Sequence, residues 1–364
     1  MSGRVLLVTG GAGAAGRGIL ARLAGDRAFA RIAILTHTTP VDQATAGDVV
    51  RGDVTRQDLG MDAPRAAALA RDVTDVLHMA ADTRFGAPLD TLRAVNVAGV
   101  ERVLAFARRC PRLQRIVALS TLYVAGRRTG TIREDDLAHT AGFVNAYEES
   151  KYEAEAALRA AMATLPIAIA RLSTIIGSAQ DGSVGRPAAI HHALRFYYQS
   201  LAPMLPGTSS SPVDLIPLEY AADAVGTLIA RAFAPGTTWH IAAARDAPPL
   251  DALLDLTLGA FLKYRPSWRR RAIEKPVVVP LRTFERFADS VEELGNSVLS
   301  RCVGVVRPFA PQLAYPKTFD DRVARAALDA HGVQRPTFAS YYPSIIRHLI
   351  EEHWSVAGET AVIA

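Results

Sequence analysis

The run Arg4–Thr9 (RVLLVT), followed at once by Gly10-Gly11-Ala12-Gly13-Ala14-Ala15-Gly16, constrains the fold more than any other stretch. Six residues rich in Val and Leu suit a buried strand and are too short for a core helix. The glycines then let the backbone turn sharply, and the Ala/Leu-rich residues to about Ala24 read as a helix packed close to the strand. Two spacings fit: Gly11, Gly13 and Gly16 as G-x-G-x-x-G, or Gly10, Gly13 and Gly16 as G-x-x-G-x-x-G. In both, the helix N-terminus offers free N–H groups and a partial positive charge, the physical requirement for holding a pyrophosphate. The glycines gain specificity from their place between a strand and a helix.

Strands then alternate with helices. Arg31–Leu35, Val49–Arg51, Val73–Met79, Gln114–Leu119 and the run from Pro166 to Ala170 read as strands. Leu89–Arg109, apolar at Leu92, Val95, Gly99, Val103 and Phe106 and stopped by Pro111, reads as a long helix, and so does Ala146–Ala163. This alternation predicts an α/β fold with a doubly wound parallel sheet. After Arg171 the rhythm changes. Gly177–Pro187 and Pro203–Pro217 are loop-like, Val213–Pro217 enters a turn as a strand, and Ala221–Ala232 is helical. Residues 262–364 lack the alternation and mix aromatics such as Trp268, Phe284, Tyr315, Tyr342 and Trp354 with prolines and arginines. The expected organisation is a nucleotide-binding domain over 1–172 with return elements near 213–235. Residues 173–212 and 236–364 would form a smaller substrate-binding or lid region suited to a greasy ligand.

Composition narrows the function classes. The 364 residues are 49% hydrophobic, enough for a large core and about two domains. The net charge of +5 comes with scattered arginines and no basic-aromatic interleaving, which argues against nucleic-acid binding. The two cysteines, Cys110 and Cys302, lack metal-ligand spacing, so neither a metal site nor a disulfide framework is expected. Few thiols and no leader-like N-terminus suggest a cytoplasmic protein. No stretch reaches the roughly 18 apolar residues of a membrane span. Val298–Val306, with Arg301 and Arg307, has an alternative reading as a peripheral contact with a membrane or partner. His191, His192, Tyr197 and Tyr198 read as a packed helix face, with a pocket wall as the alternative.

The chemistry is expected at Tyr147 and Lys151. Their i, i+4 spacing puts both on one helix face. Reducing a carbonyl requires a proton as hydride arrives, and a free phenol with pKa near 10 is a weak donor at neutral pH. An adjacent ammonium would lower that pKa and could also reach a cofactor ribose. Lysine occurs only at positions 151, 263, 275 and 317 in an arginine-rich chain, so Lys151 stands out. Ser120 or Thr121, leaving a strand at the end where doubly wound sheets bind ligands, would orient the carbonyl oxygen, with Thr121 favoured. After the second strand the chain reads Thr36-His37-Thr38-Thr39, without the acid that holds NAD's ribose hydroxyls. His37, Thr36 or Arg17 could instead meet a 2′-phosphate, so NADP(H) is favoured over NAD(H). Asp53, after the third strand, could accept from an adenine amino group.

Together these residues resemble the extended short-chain dehydrogenase/reductase family, with its NAD(P)-binding Rossmann domain, over roughly residues 4–245. The resemblance rests on the glycine turn, Gly52-Asp53-Val54, His78-Met79-Ala80-Ala81-Asp82-Thr83, Asn96-Val97-Ala98-Gly99, Ser120-Thr121, Tyr147/Lys151 and Arg171-Leu-Ser-Thr-Ile-Ile-Gly177. It implies a catalytic set of Thr121, Tyr147 and Lys151. It implies cofactor contacts at Thr9, Gly10, Gly11, Gly13, Ala14, Ala15, Gly16, Thr36, His37, Asp53, Val54, Ala80, Ala81, Asn96, Lys151 and Thr174. Within the family the chain looks most like the thioester-reductase and fatty acyl-CoA reductase branch, from residues 78–85, 120–126 and 213–224. Where that branch usually carries an arginine after the second strand, this chain has His37.

The leading expectation is therefore NAD(P)H-dependent reduction of an acyl thioester, bound to CoA or to an acyl carrier protein acting in trans, to an aldehyde or alcohol. The alternatives are a ketone or aldehyde reductase or a hydroxyl dehydrogenase on a polyketide- or steroid-like substrate, a nucleotide-sugar epimerase or dehydratase, and a dinucleotide sensor without turnover. The missing acid after the second strand weighs against the sugar enzyme. The intact Tyr147, Lys151 and Thr121 weigh against the sensor.

Overall fold

The computed structural model describes residues 3–37, 47–185, 187–266, 272–295 and 298–354. Thr38, Thr39 and Trp268 lie outside the described residues. In chain order the first part runs β1 (Val5–Thr9), α1 (Ala14–Ala24), β2 (Arg31–Thr36), β3 (Asp48–Arg51), α2 (Ala63–Asp72), β4 (Asp75–His78), α3 (Leu89–Ala107), β5 (Arg115–Thr121), β6 (Gly130–Ile132), α4 (Ala146–Ala161) and β7 (Ile167–Leu172). It continues through β8 (Thr174–Gly177), α5 (Ala189–Tyr198), β9 (Met204–Pro206), β10 (Leu215–Pro217), α6 (Leu218–Ala230), β11 (Thr238–Ile241) and α7 (Leu250–Tyr264). The last part holds β12 (Val277–Val279), α8 (Leu281–Glu293), α9 (Val298–Val306), β13 (Lys317–Phe319), α10 (Arg322–Asp329) and α11 (Phe338–Glu351).

Seven strands form one sheet in the order β3-β2-β1-β4-β5-β7-β11, all parallel. Every residue of β1 is buried, as a strand covered on both faces must be. On one face Ile19, Leu20 and Leu23 of α1 and Val225, Leu228 and Ile229 of α6 pack on the strands. On the other, Val100, Val103 and Phe106 of α3 join Ala154 and Leu158 of α4. The order reverses beside β1, between β1 and β4, and a doubly wound sheet opens its binding crevice at such a reversal. The α/β architecture with a doubly wound parallel sheet is the one expected.

The chain's return to the sheet reaches further than residue 235. Thr238–Ile241, assigned from the sequence to the lid region, is β11, the fully buried strand beside β7. Ala324 and Leu328 of α10 also enter the sheet's core. Other C-terminal residues build a second core, where Leu194 and Tyr197 of α5, Phe261 of α7 and Tyr342, Ile345 and Ile346 of α11 meet. The two parts are further joined by two-stranded parallel pairs, β13 with β6 and β10 with β8. In α9, Cys302, Val303 and Val306 face inward against residues of α5 and α8, while Val298 and Val305 stay 46% and 40% exposed. Among the described residues no helix is long and apolar enough to cross a membrane.

Candidate active site

The glycines after β1 do different jobs. Gly10 has φ +76°, and a Cβ there would lie 2.4 Å from the Ala80 nitrogen. A Cβ at Gly16 would lie 2.3 Å from the Gly10 oxygen, so these two allow strand, turn and helix to touch. Gly13, the N-cap of α1, has φ −68°, and a Cβ there would meet only the Gly10 oxygen at 3.4 Å. No acid occupies the first turn of α1. Free N–H groups therefore face a glycine-lined hollow, and this cradle fits a dinucleotide's pyrophosphate. Thr9 and Gly11 are buried behind it. The Thr9 hydroxyl lies 2.8 Å from Nδ1 of His78 and accepts from the Ala80 N–H at 3.4 Å. Burial, with Lys151 adding, drives His78 down to about 3, so its ring is neutral.

At the far end of the cleft Thr36, His37, Asp53 and Val54 line the wall, while Arg17, also on the cavity, donates to the Ala12 carbonyl at 2.8 Å and lies beside Gly185. The Asp53 carboxylate accepts from the N–H and hydroxyl of Thr55, 2.9 and 2.7 Å away, and its other oxygen lies 3.6 Å from Nε2 of His37. Burial works to raise Asp53, yet the bonds from Thr55 and the charges of His37 and Arg56 hold it below the ordinary carboxylate range.

Asn145 begins α4. Its side-chain oxygen accepts from the Glu148 N–H at 3.1 Å, and the Glu148 carboxylate reaches back to the Val144 N–H at 2.9 Å. Tyr147, Lys151 and Glu155 then follow on one buried face. The Tyr147 phenol and the Thr121 hydroxyl neighbour each other on the cavity wall, and the Thr121 oxygen accepts from the Tyr123 N–H at 3.2 Å. Lys151 Nζ donates to the Leu119 carbonyl at 3.0 Å. Burial lowers this amine to about 8, with Glu155 opposing, so it remains charged at neutral pH.

One expectation is overturned. The amine was expected to bring the Tyr147 phenol below its ordinary value. Burial instead pushes the phenol up, the neighbouring Thr121 hydroxyl opposes this, and Tyr123 and Glu148 raise it further.

One continuous cavity of about 1200 Å³ joins these parts. Of the residues expected from the sequence, Gly10, Gly13, Ala14, Ala15, Gly16, Thr36, His37, Asp53, Val54, Ala80, Ala81, Thr121, Tyr147 and Thr174 line it. Thr9, Gly11, Asn96 and Lys151 do not: the polar groups of Thr9, Asn96 and Lys151 are used beneath its wall, and Gly11 packs against Leu20 and Ile34. Asn96, 1% exposed, holds both backbone groups of Asp82 and donates to Ser150 at 2.9 Å. Ser120 likewise faces away, donating to Glu155 at 2.7 Å, so of the two candidate hydroxyls Thr121 is the one on the cavity. The Thr174 hydroxyl lies 3.0 Å from that of Tyr123.

Sequence reasoning missed Phe85, whose ring stands edge-on to Tyr147 at 5.2 Å and also neighbours Tyr123 and Phe309. Beyond it the cavity runs between C-terminal elements, past Leu194, Tyr197, Leu205, Leu254 and Leu313, with His191 and His192 on the same wall. His191 is also a packing residue: Nδ1 accepts from the Ala188 N–H and Nε2 bonds the Ile176 carbonyl. The segment beside Phe309 clasps the start of α4. Asn145 donates to the Pro308 carbonyl at 3.0 Å, Gln312 donates to Glu148, and Lys317 donates to the Gly126 carbonyl and to Gln312. Burial raises Glu148 and lowers the half-buried Lys317, and Gln312 bridges the two. The described residues hold no cluster of His, Cys, Asp or Glu able to bind a metal ion.

A family model described as male sterility protein, an NAD-binding family, matches residues 24–225. Curated relatives include the chloroplastic fatty acyl-CoA reductase 2 of Arabidopsis thaliana, 32% identical over 85 residues, which are 23% of this chain and 14% of that protein. The alcohol-forming fatty acyl-CoA reductase of Simmondsia chinensis is 36% identical over 87 residues, 24% of this chain and 18% of that protein. This chain thus spans under a fifth of the length of either. Among solved structures, the terminal R domain from the myxalamid PKS-NRPS biosynthetic pathway superposes with a TM-score of 0.80 at 22% identity, covering 99% of this chain and 93% of that one. The reductase domain of a nonribosomal peptide synthetase from Mycobacterium tuberculosis gives 0.69 at 20% identity, covering 96% and 91%.

Proposed function

This chain belongs to the NAD-binding male sterility protein family, and from that premise we propose that it is an NAD(P)H-dependent reductase of acyl thioesters. One observation carries the proposal: Tyr147 and Thr121 lie on the same cavity as the glycine cradle at one end and an apolar channel at the other. A bound nicotinamide would supply hydride. It would be held by the α1 N-terminus at Gly13–Gly16, by Thr36, Asp53 and Val54 beside the adenosine, and by Ala80 and Ala81.

The chain's own groups divide the remaining work. Thr121 orients the carbonyl oxygen. Tyr147, whose burial keeps it protonated at neutral pH, delivers the proton to that oxygen as hydride reaches the carbonyl carbon, and the resulting hemithioacetal then breaks its C–S bond, its hydroxyl proton passing to the departing sulfur, to release aldehyde and free thiol. Lys151 stays charged beneath them and favours the phenolate left behind. The apolar walls exclude water and hold the acyl part, which arrives on a CoA or carrier-protein thiol. The relatives named for fatty acyl-CoA reduction and the R-domain fold support a thioester over a free ketone. NADP(H) is the favoured cofactor, because β2 ends without an acid, His37 follows it on the cavity wall, and Arg17 lines the same cavity as a further donor for a 2′-phosphate.

The test is nucleotide consumption by the purified chain with acyl-CoA, acyl-phosphopantetheine and ketone panels. Thioester turnover is expected, and Tyr147→Phe should lose about 10²-fold or more in kcat while still binding nucleotide. Turnover of ketones alone would transfer the assignment to a ketone reductase, and an unimpaired Tyr147→Phe would remove the proton donor. Arg17→Ala should weaken NADPH more than NADH, and equal weakening would count against the 2′-phosphate contact.

A further inference from the structure

Glu155 occupies the third step of the face that carries Tyr147 and Lys151, and it has no part in the chemistry described above. It is fully buried, and it joins its own helix to two strands of the sheet. Its carboxylate accepts from Ser120 of β5 at 2.7 Å, from Arg159 of its own helix at 3.0 Å, and from Arg171 of β7 at 2.6 to 3.1 Å. Arg171 is itself 1% exposed. It donates to the Asp136 carbonyl at 2.6 Å and to Nε2 of His240 in β11 at 3.0 Å, and Nδ1 of that ring donates to the Asp320 carbonyl.

We propose that Glu155 is a positioning residue of the reductase site: its hydrogen bond to Ser120 fixes the Ser120–Thr121 strand end, and its place one helical turn from the buried Lys151 sets a negative charge beside that amine. The inference rests on the catalytic roles assigned above. A neutral side chain of the same shape could fill the space, but a charge here does more. Taking a carboxylate out of water costs several kcal/mol unless it is fully bonded, and this one sets two arginines and a serine around itself. The arginines would compensate the carboxylate alone. The residue that remains in need of a negative neighbour is Lys151, one turn back. Glu155 from its own helix opposes the burial that lowers this amine, while the neutral His78 faces it from β4. Ser120 passes the constraint to the adjacent Thr121, which lines the cavity beside the phenol.

The experiment compares wild type with Glu155→Gln, Glu155→Asp, Arg171→Met and the double change Glu155→Gln/Arg171→Met. The double change removes the arginine that a neutral amide in place of Glu155 would orphan, so it keeps the test alive if the single variant does not fold. Two readouts are taken. Labelling the lysine ε-carbon with ¹³C gives four resonances, and the one lost in Lys151→Met reports the Lys151 titration by NMR without any turnover. The second readout is the pH profile of kcat with an acyl thioester. Glu155→Gln should move the Lys151 titration and the alkaline limb of kcat down by about one pH unit (a tenfold change in proton affinity), lowering kcat with little change in KM. Glu155→Asp should restore part of both. A folded Glu155→Gln whose Lys151 titration stays in place overturns the proposal, and so does a folded double variant that titrates as Arg171→Met alone does, the comparison that cancels the loss of the arginine's charge. If the titration moves but wild type reduces no carbonyl, the coupling stands and the reductase reading is the one that fails.

Discussion

At single positions the glycine turn separates folding from binding. A methyl group at Gly16 must push on the backbone oxygen of Gly10, which has nowhere to move without parting β1 from α1. Gly16→Ala should therefore cost about 1–3 kcal/mol or more of stability, visible as a lowered Tm. Gly13 already has a conformation any residue adopts, and its Cβ would project into the cavity. Gly13→Ala should keep the Tm and lose nucleotide affinity. Equal melting of the two variants would refute this division. Lys151 presents the opposite trade. Its amine titrates near 10.5 in the unfolded chain and near 8 when buried, so below pH 8 it is charged in both states and folding bears the desolvation. Between pH 8 and 10.5 the unfolded chain binds more protons, and this group's contribution to stability rises with pH. Lys151→Met should thus melt higher than wild type at pH 7, with the gap narrowing above pH 8, while turnover is lost. Glu155 stays compensated by Arg159 and Arg171 in that variant. A lower Tm for Lys151→Met at pH 7 would show that the amine stabilises the fold.

At the scale of elements, α4 depends on its first turn. Asn145 caps the helix and also ties it to Pro308, so Asn145→Ala should cost about 1–2 kcal/mol and loosen the segment that carries Phe309. Urea unfolding checks the first effect, and an unchanged midpoint would refute it. The same helix shows what could be read before any coordinates. Its polar start, its Tyr147–Lys151 spacing and the pattern of α3 are periodic over three or more turns, so burial leaves a trace in the residue order. β1 and β5 were legible as compact apolar runs ending at chemically loaded loops. β6, β9, β12 and β13 have three residues each, too few to show a period, and they exist because distant segments pair. β11 was missed for a related reason: its four residues fall in the stretch assigned from the sequence to the lid region, and only pairing with β7 makes them part of the sheet. In the site, the glycine cradle and the Tyr147–Thr121 pair were visible in sequence. The phenol's raised pKa was not, because it follows from three-dimensional burial. Glu155 left one usable signal, its place four residues after Lys151.

Across the whole molecule, two regions far apart in sequence share one cavity wall. The Rossmann half supplies the cradle and Tyr147, and the C-terminal half supplies α5, α7 and the 308–317 segment. The halves are also fastened together, through β13 on β6, α10 in the sheet's core and the Pro308–Gln312 clasp on α4. This makes the apolar channel a fixed extension of the nucleotide cleft, with Phe85 between Tyr147 and Phe309 where the two meet. Substrate length and nucleotide affinity should then be separable by mutation. Ala193, half-buried on α5, lines the channel and not the cradle. Ala193→Trp should raise KM for long acyl thioesters about tenfold or more, a loss of about 1.4 kcal/mol, and spare short ones. Nucleotide dissociation should change little, because the cradle is untouched. Parallel loss of short- and long-chain turnover, or a weakened nucleotide complex, would mean that the channel does not hold the acyl chain.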